Sequence, residues 1–343
     1  MNLKQLSDML GLSPTTVSRA LNGYPEVSED TRERVRLAAQ KYDYKPHARA
    51  QSLATGRAFA IGHVIPISTH QFVVNPIFGD FIAGAGETYA ANGYETVLSM
   101  VSDDDELSAY RQIKARGSVD GVVVHGAKSQ DPRFDLLREI GLPFVAHGRS
   151  SGETEPYAWV DVNNQGAFER ATAFLLDLGH RKIGLLNGPE SMDFALRRRN
   201  GFEAAHAARG ITPLASLMAS QEMTETYGYR EASRMLASDT PPTAFVVSSL
   251  ISALGVRRAI ERLGLRMGRD VSVVTYDDAL SYLPNGDDVP VFTATRSSVR
   301  EAGRIAGQIL IDLINNPGAP PKTRLLEAEL MVGQSTGPCP TSG

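Results

Sequence analysis

Three sets of residues have types and spacing that could do chemistry. The first is the run Ser13-Pro14-Thr15-Thr16-Val17-Ser18-Arg19, with Asn22 and Ser28 after it. An arginine on such a polar helical face can pair with O6 and N7 of guanine, while hydroxyls and amides nearby can donate to phosphate oxygens. The second is Arg198, between Arg197 and Arg199. Its planar fork can grip vicinal hydroxyls or a carboxylate, and it can equally be a surface charge. The third is Asp277, directly after the apolar run VSVVTY. A carboxylate there can accept from two hydroxyls, or simply close a turn. Phe78 can stack on a sugar face or fill core.

Catalytic chemistry has little support. No Gly-x-Gly-x-x-Gly, phosphate-binding loop or His-Glu-x-x-His occurs, and histidines 63, 70, 125, 147, 180 and 206 lack metal-ligand spacing. Asp103, Asp104 and Asp105 read as a helix start, where acids suit the dipole. The single cysteine, Cys339, can form neither an internal disulfide nor a thiolate cluster, which fits a reducing cytoplasm. No catalytic residue, metal site or cofactor is expected. No apolar run reaches the 18 residues of a membrane span, and the N-terminus lacks the pattern of a secretory signal.

The elements that must position these groups follow from periodicity. Leu3, Leu6, Met9 and Leu10 mark one helical face, ended by Gly11. Ser13 caps a second helix with Pro14 at its first position, and Ser28 caps a third that buries Val35, Ala38, Ala39 and Tyr42. Two short helices joined by a glycine turn make a helix-turn-helix. Residues 1–57 carry +3 and the remainder −7, within a net −4, so the basic head suits a polyanion. From residue 59 short apolar strands alternate with helices. Strands are expected at 59–66, 94–100, 121–125, 144–147, 158–162, 182–188, 214–219, 244–248 and 271–276. Helices are expected at 78–92, 104–116, 131–140, 165–178, 194–209, 225–237, 250–263 and 298–315. That alternation means parallel sheets covered by helices on both faces. For 343 residues, two α/β lobes with a ligand cleft at the strand C-termini are expected.

The runs LSPTTVSRALNG, VSEDTRERV and YDYKPHARAQSLATGR resemble the head and linker of the LacI/GalR family of bacterial transcription regulators. NPIFGDFIAG, DGVVVHG, LGHRKIGLLNGP, RRNGF, DVSVVTYDD and VGQSTGP resemble that family's periplasmic-binding-protein-like sensor. The resemblance implies an all-α helix-turn-helix head at 1–45, a hinge-helix linker at 46–58 and an α/β two-lobed sensor at 59–343. Lobe 1 would comprise 59–162 and 294–322, and lobe 2 163–293 and 323–340. Pro14 and Thr15 become the variable base-reading positions, Ser18 belongs to the same face, and Arg19 becomes the constant guanine reader. In the linker, which also carries Arg49, Ala50 lets two helices approach and Leu53 wedges into the minor groove. An inserted apolar side chain unstacks a flexible step and bends the duplex.

For the effector, the resemblance makes Arg198 and Asp277 the main contacts, with Asn75, Phe78, His147, Met223 and Ser249 beside them. Met223 stands where some relatives have an aromatic, and Ser249-Leu250 replaces an Asn-Asp pair common in the family, which argues against purine recognition carried over unchanged. VAHGR, YAWVDVNN and MTETYGYR resemble the subgroup that regulates α-glucoside or α-galactoside use. The expected partners are therefore a pseudo-palindromic double-stranded operator, a small sugar and a second copy of the chain. A coiled-coil tetramer is not expected, because no apolar heptad follows Leu330. The competing readings are a sugar- or other small-molecule-binding protein or enzyme without a DNA role, and a corepressor-dependent regulator with a non-sugar effector.

Overall fold

A computed structural model describes residues 1–21, 23–44, 56–66 and 76–340; the side chain of Asp103 is also outside the description. The chain divides into two compact units, Met1–Phe59 with Gly117–Asp120, and the remaining residues from Ala60 onward.

The head contains α1 (Leu3–Leu10), α2 (Pro14–Leu21) and α3 (Glu29–Lys41). Asn2 and Gln5 form a reciprocal capping box at the start of α1, and Gly11 closes it at φ 63°, a conformation that costs glycine nothing. Leu6, Val17, Ala20, Val27, Val35 and Ala39 form the core, with Leu3 and Leu10 packed against it. Met9 departs from the expected face and is 54% exposed. It lies on the edge of the stripe, roughly 100° around the helix from Leu10. Tyr42 is also exposed, and Tyr44 packs against the core in its place. In the same unit the Asp120 carboxylate accepts the N–H groups of Ala58 and Phe59 at 2.7 and 2.8 Å.

The body has two six-stranded sheets among the described residues. The first contains β1 (Ala60–Pro66), β2 (Glu95–Val101), β3 (Gly121–His125), β4 (Phe144–His147), β5 (Ala158–Val162) and β11 (Thr323–Leu326), all parallel, in the order β11-β5-β4-β3-β1-β2. The second contains β6 (Ile183–Asn187), β7 (Met218–Ser220), β8 (Ala244–Val247), β9 (Ser272–Asp277), β10 (Thr293–Arg296) and β12 (Glu329–Met331), in the order β12-β10-β9-β8-β6-β7. Only β12 runs antiparallel there. Central strands such as β3, β6 and β8 are buried along their whole length, which is why they read as unbroken apolar runs. In each sheet the order reverses once, between β1 and β3 and between β6 and β8. Strand C-termini at such switch points are where α/β sheets hold ligands.

The helices are α4 (Pro76–Ala91), α5 (Glu106–Arg116), α6 (Pro132–Glu139), α7 (Asn164–Asp177), α8 (Asp193–Ala207), α9 (Glu225–Leu236), α10 (Leu250–Arg262) and α11 (Val299–Asn315). Pairs α4/α11, α7/α8 and α9/α10 pack so closely that glycine is required at the crossing. A Cβ on Gly201 of α8 would lie 2.1 Å from the Gln165 carbonyl oxygen of α7.

Three expectations need correction. The segment 214–219 opens with a 3-10 turn at Ala215–Leu217, so its strand is only Met218–Ser220. β10, β11 and β12 have three or four residues each, too short for a distinct apolar pattern. The lobe crossovers shift with them, because β10 belongs to the second sheet and β11 to the first. The chain therefore changes lobe after 162, after 296 and after 326, rather than near 162, 293 and 323.

Candidate nucleic-acid interface and ligand cleft

The head carries a groove lined by Leu12, Ser13, Thr15, Thr16, Arg19, Glu26, Val27, Ser28 and Thr31. Five residues chosen from sequence thus share one surface. Pro14, Thr15 and Arg19 are exposed; Thr16 and Ser18 are half-buried. Other head arginines are committed: Arg32 to Glu29 and to the Tyr24 and Val27 carbonyls, Arg34 to the Leu10 carbonyl, Arg36 to Glu33. No side-chain bond holds Arg19 among the described residues, so its fork is available to an incoming acceptor. Ser13 and Ser28 also act as helix caps. Ser13 Oγ accepts from the Thr16 amide at 3.0 Å, and Ser28 Oγ accepts from the Thr31 amide and donates to Thr31 Oγ1 at 2.9 Å. The N-termini of α2 and α3 therefore both open onto this groove, where their partial positive charge favours phosphate. Asn22, Arg49, Ala50 and Leu53 lie outside the described residues.

Arg198 is the centre of the second lobe's site. It sits one turn into α8 and is almost completely buried. Its Nε donates to Asn164 Oδ1 at 2.8 Å and its Nη1 to the Ser248 carbonyl at 2.7 Å. Its guanidinium carbon stands over three rings, Tyr276 at 4.2 Å, Phe194 at 4.9 Å and Phe168 at 5.1 Å. Met223 Sδ is 4.0 Å from Nη1. Burial pulls its pKa down, and Tyr276, Asp278 and Asp161 oppose that pull.

Two adjacent acids stand at the end of β9 in different surroundings. Asp277 ends β9; its Oδ1 accepts the Ala279 amide at 2.8 Å, and Oδ2 lies 3.7 Å from Arg296 Nε. The next residue, Asp278, is the one whose charge couples most directly to Arg198. Loss of water raises its carboxyl to about 7, Arg198 draws it back, and Asp277 pushes it up. Asp161, at the end of β5, is also raised by burial, against the pull of Arg149, whose Nε donates to it at 2.8 Å. Ser249 is a buried cap of α10, accepting the Ile251 amide at 3.1 Å. Its neighbour Ser248 supplies the carbonyl that holds Arg198.

The first lobe contributes an aromatic wall. Register places His125 and His147 side by side at the ends of β3 and β4. His147 is half-buried and stacks on Phe81 with centroids 4.2 Å apart. Phe78 and Phe81 present edge contacts to His125 at 4.8 and 5.0 Å. Burial lowers His147 to about 4, so its imidazole is neutral at neutral pH. Asn75 lies outside the described residues. The structure thus groups Arg198 with Met223 on one lobe, and Phe78 with His147 on the other. Sequence reasoning missed Asn164, Ser248, Asp278, Phe81 and His125. The last was findable, since the rule that selects His147, a polar residue ending a buried strand, selects it too.

Among the described residues, contacts on two sides bridge the lobes. Asp80 of α4 accepts the Ser281 amide at 2.6 Å and the Ser281 hydroxyl at 2.7 Å. On another side the Asp193 amide donates to the Ala127 carbonyl at 3.0 Å, and Asp193 Oδ1 accepts the Ser151 amide at 3.1 Å. No group of three or more potential metal ligands occurs among the described residues, and no described helix is long and apolar enough to cross a membrane.

Comparison with known proteins follows this division. Residues 3–47 match the family model for bacterial regulatory proteins of the lacI family, and residues 172–336 match a periplasmic binding protein-like domain. The chain is 45% identical over 341 residues to the HTH-type transcriptional regulator AglR of Rhizobium meliloti (strain 1021), covering 99% of this chain and 95% of that one. The structure of a transcriptional regulator CelR–cellobiose complex matches at TM-score 0.72 and 28% identity, over 98% of this chain and 99% of that one. The lac repressor dimer bound to operator and the anti-inducer ONPF matches at TM-score 0.78 and 25% identity, again over 98% and 99%.

Proposed function

The chain belongs to the lacI family of bacterial regulatory proteins, and from that premise we propose that it represses a carbohydrate-utilisation operon until a neutral oligosaccharide, an α-glucoside or α-galactoside, releases it. The cage around Arg198 carries this reading. One buried cation is ringed by three aromatic faces and offset by Asp278 and Asp161. Aromatic faces suit sugar rings, and the near-balanced charge suits hydroxyls better than a phosphate. The cellobiose bound to a structural relative is in accord with that chemistry.

The active species is a homodimer, since one helix-turn-helix reads only a half-site and a two-fold pair reads a pseudo-palindrome. Leu98 and Met100, each 52% exposed on the edge strand β2, support a covered surface, because unpaired apolar edges invite association. Arg19 reads a guanine, Thr15 is a variable base-reading position with Ser18 on the same face, Pro14 contributes shape or apolar contact, and Leu53 wedges the minor groove. Effector closure of the lobes separates the two linkers and lowers DNA affinity. A coupling of about 1–3 kcal/mol suffices for a five- to 150-fold change.

The test is a gel-shift against the upstream region of the neighbouring operon, paired with calorimetry, using maltose, sucrose, melibiose and raffinose. Release of DNA by a sugar that also gives binding heat is the expected result. Heat from none of them removes the sugar assignment and leaves the DNA role standing. Tighter DNA binding with sugar makes the effector a corepressor. Light scattering that finds only monomer at micromolar concentration removes the dimer.

A further inference from the structure

The acid that opens the run DGVVVHG belongs neither to the operator groove nor to the cleft. Asp120 is half-buried, and its two carboxylate oxygens are spread over two successive backbone donors. Oδ1 accepts the Ala58 amide at 2.7 Å and Oδ2 the Phe59 amide at 2.8 Å. Phe59 is the last residue before β1 and Asp120 the last before β3, and these strands are neighbours with Ile61 opposite Gly121. Phe59 stands at φ 50°, in the left-handed region.

A residue that carries a ring is disfavoured at such a φ, because its Cβ crowds the following carbonyl, and the conformation persists only where the surroundings enforce it. Here the enforcing group is a carboxylate. Successive N–H groups turned to one side cradle an anion, and hydrogen bonds to a charged acceptor are about twice as strong as neutral ones. A pin that served only to start β1 would be redundant. That strand is already paired with β2 from Ala60 to Pro66, and with β3 from Ile61 to His63. What the clamp adds lies upstream of the strand, where it fixes the direction in which the end of the linker leaves lobe 1. Without it, rotations about the bonds of residues 57–59 would absorb a movement of the lobe before it reached the head.

We propose that Asp120 is a positioning residue that ties the linker to lobe 1 through the Ala58 and Phe59 amides, and that it serves operator binding and the effector response alike. The proposal rests on the reading in which effector closure of the lobes separates the two linkers. In the sugar-free protein the clamp holds these residues in one conformation, so operator binding need not freeze them. In the sugar-bound protein it delivers the movement of the lobe without slack.

The experiment compares the full-length protein with Asp120→Ala and Asp120→Asn, by amide hydrogen exchange, by calorimetry, and by gel-shift with and without the four sugars above. The Ala58 and Phe59 amides should exchange at least about tenfold faster in Asp120→Ala than in wild type. Sugar binding to the DNA-free variant should match wild type, since no group of the cleft is changed. Operator affinity without sugar should fall about three- to tenfold. The ratio of operator affinities without and with sugar should shrink at least about threefold, and by reciprocity operator should weaken sugar binding less by the same factor. Asp120→Asn keeps one acceptor oxygen, should give intermediate values, and carries the comparison if the alanine variant does not fold. A residue that only stabilised the fold would lower the melting temperature and leave the ratio alone, so an unchanged ratio overturns the proposal, as does unchanged exchange. If no sugar alters operator binding by wild type, the effector reading fails and operator affinity decides the clamp. Equal affinity in Asp120→Ala and wild type then overturns it, and the stated loss upholds it.

Discussion

Replacing Gly201 by alanine tests how Arg198 is aimed. The added Cβ would stand 2.1 Å from the Gln165 carbonyl oxygen, 2.9 Å from the Glu169 nitrogen and 3.0 Å from the Gln165 carbonyl carbon, all backbone atoms of α7. Backbone cannot swing away as a side chain does, so α7 and α8 must part by roughly 1 Å. The bond from Arg198 Nε on α8 to Asn164 Oδ1 on α7 spans the same pair and is 2.8 Å long. Parting the helices by that amount takes it past the ~3.5 Å beyond which a hydrogen bond fails. Overpacking costs about 1–3 kcal/mol, which lowers the melting temperature by about 2–4 °C per kcal/mol in a body of this size. Loss of a charge-assisted hydrogen bond is worth about 1.5–3 kcal/mol, so sugar affinity should fall at least about tenfold. The assay is calorimetry with the inducing sugar beside thermal unfolding, with Gly86→Ala as control. A Cβ there finds no atom nearer than 3.9 Å, so alanine should be neutral or stabilise the helix by about 0.4–1 kcal/mol. Wild-type melting and sugar affinity in Gly201→Ala would refute the idea that this helix contact aims Arg198.

Other perturbations separate the two functions. Arg19→Ala should cost about 1–3 kcal/mol of operator binding and relax preference at one guanine, with melting and sugar binding unchanged; operator affinity equal to wild type removes Arg19 as a reader. Leu53→Ala should reduce DNA bending and specific affinity while sparing non-specific, salt-sensitive binding, as read in a permuted-fragment assay. Asp278→Asn tests the pH response. The folded carboxyl is raised to about 7 from an unfolded value near 3.8, so the folded state holds the extra proton between those values and stability falls as pH rises through the window. The amide lacks that loss. Its melting temperature should gain on wild type from pH 4 to pH 8, and parallel melting curves against pH would count against the raised carboxyl.

Much of this architecture was visible in the periodicity. The strands GVVVH, FVAH and AWVDV and the helices between them fall within a residue or two of their expected bounds, because strands buried on both faces are predominantly apolar along their length. The strands TATR, TRLL and ELM were not visible, since each is held by its neighbour in the sheet and not by a pattern of its own. The same holds for the cleft. Arg198 and Met223 were found, and the two meet. Asp277 was expected as a contact, and its neighbour Asp278 is the acid whose charge acts on Arg198, a difference between adjacent residues that spacing does not signal. Ser249, expected as a contact, caps α10, while the atom that holds Arg198 is the backbone oxygen of Ser248, which no choice of side chain could signal.

The grip of Asp80 on Ser281 has a pharmacological consequence. The segment that carries Asp277 and Asp278 ends, three residues later, in two hydrogen bonds to a helix of the opposite lobe. On the proposed reading, a molecule that pulls on those acids works a linkage, and its occupancy and its message are one event. A molecule that nestles only against Phe78, Phe81 and His147 touches neither acid and leaves the linkage at rest. Such a molecule would fill the cleft, exclude the true effector and say nothing to the DNA. Truncated or singly substituted monosaccharides are natural choices for this role. In a gel-shift they would act as silent antagonists, shifting the sugar's dose–response curve to higher concentration without releasing operator on their own.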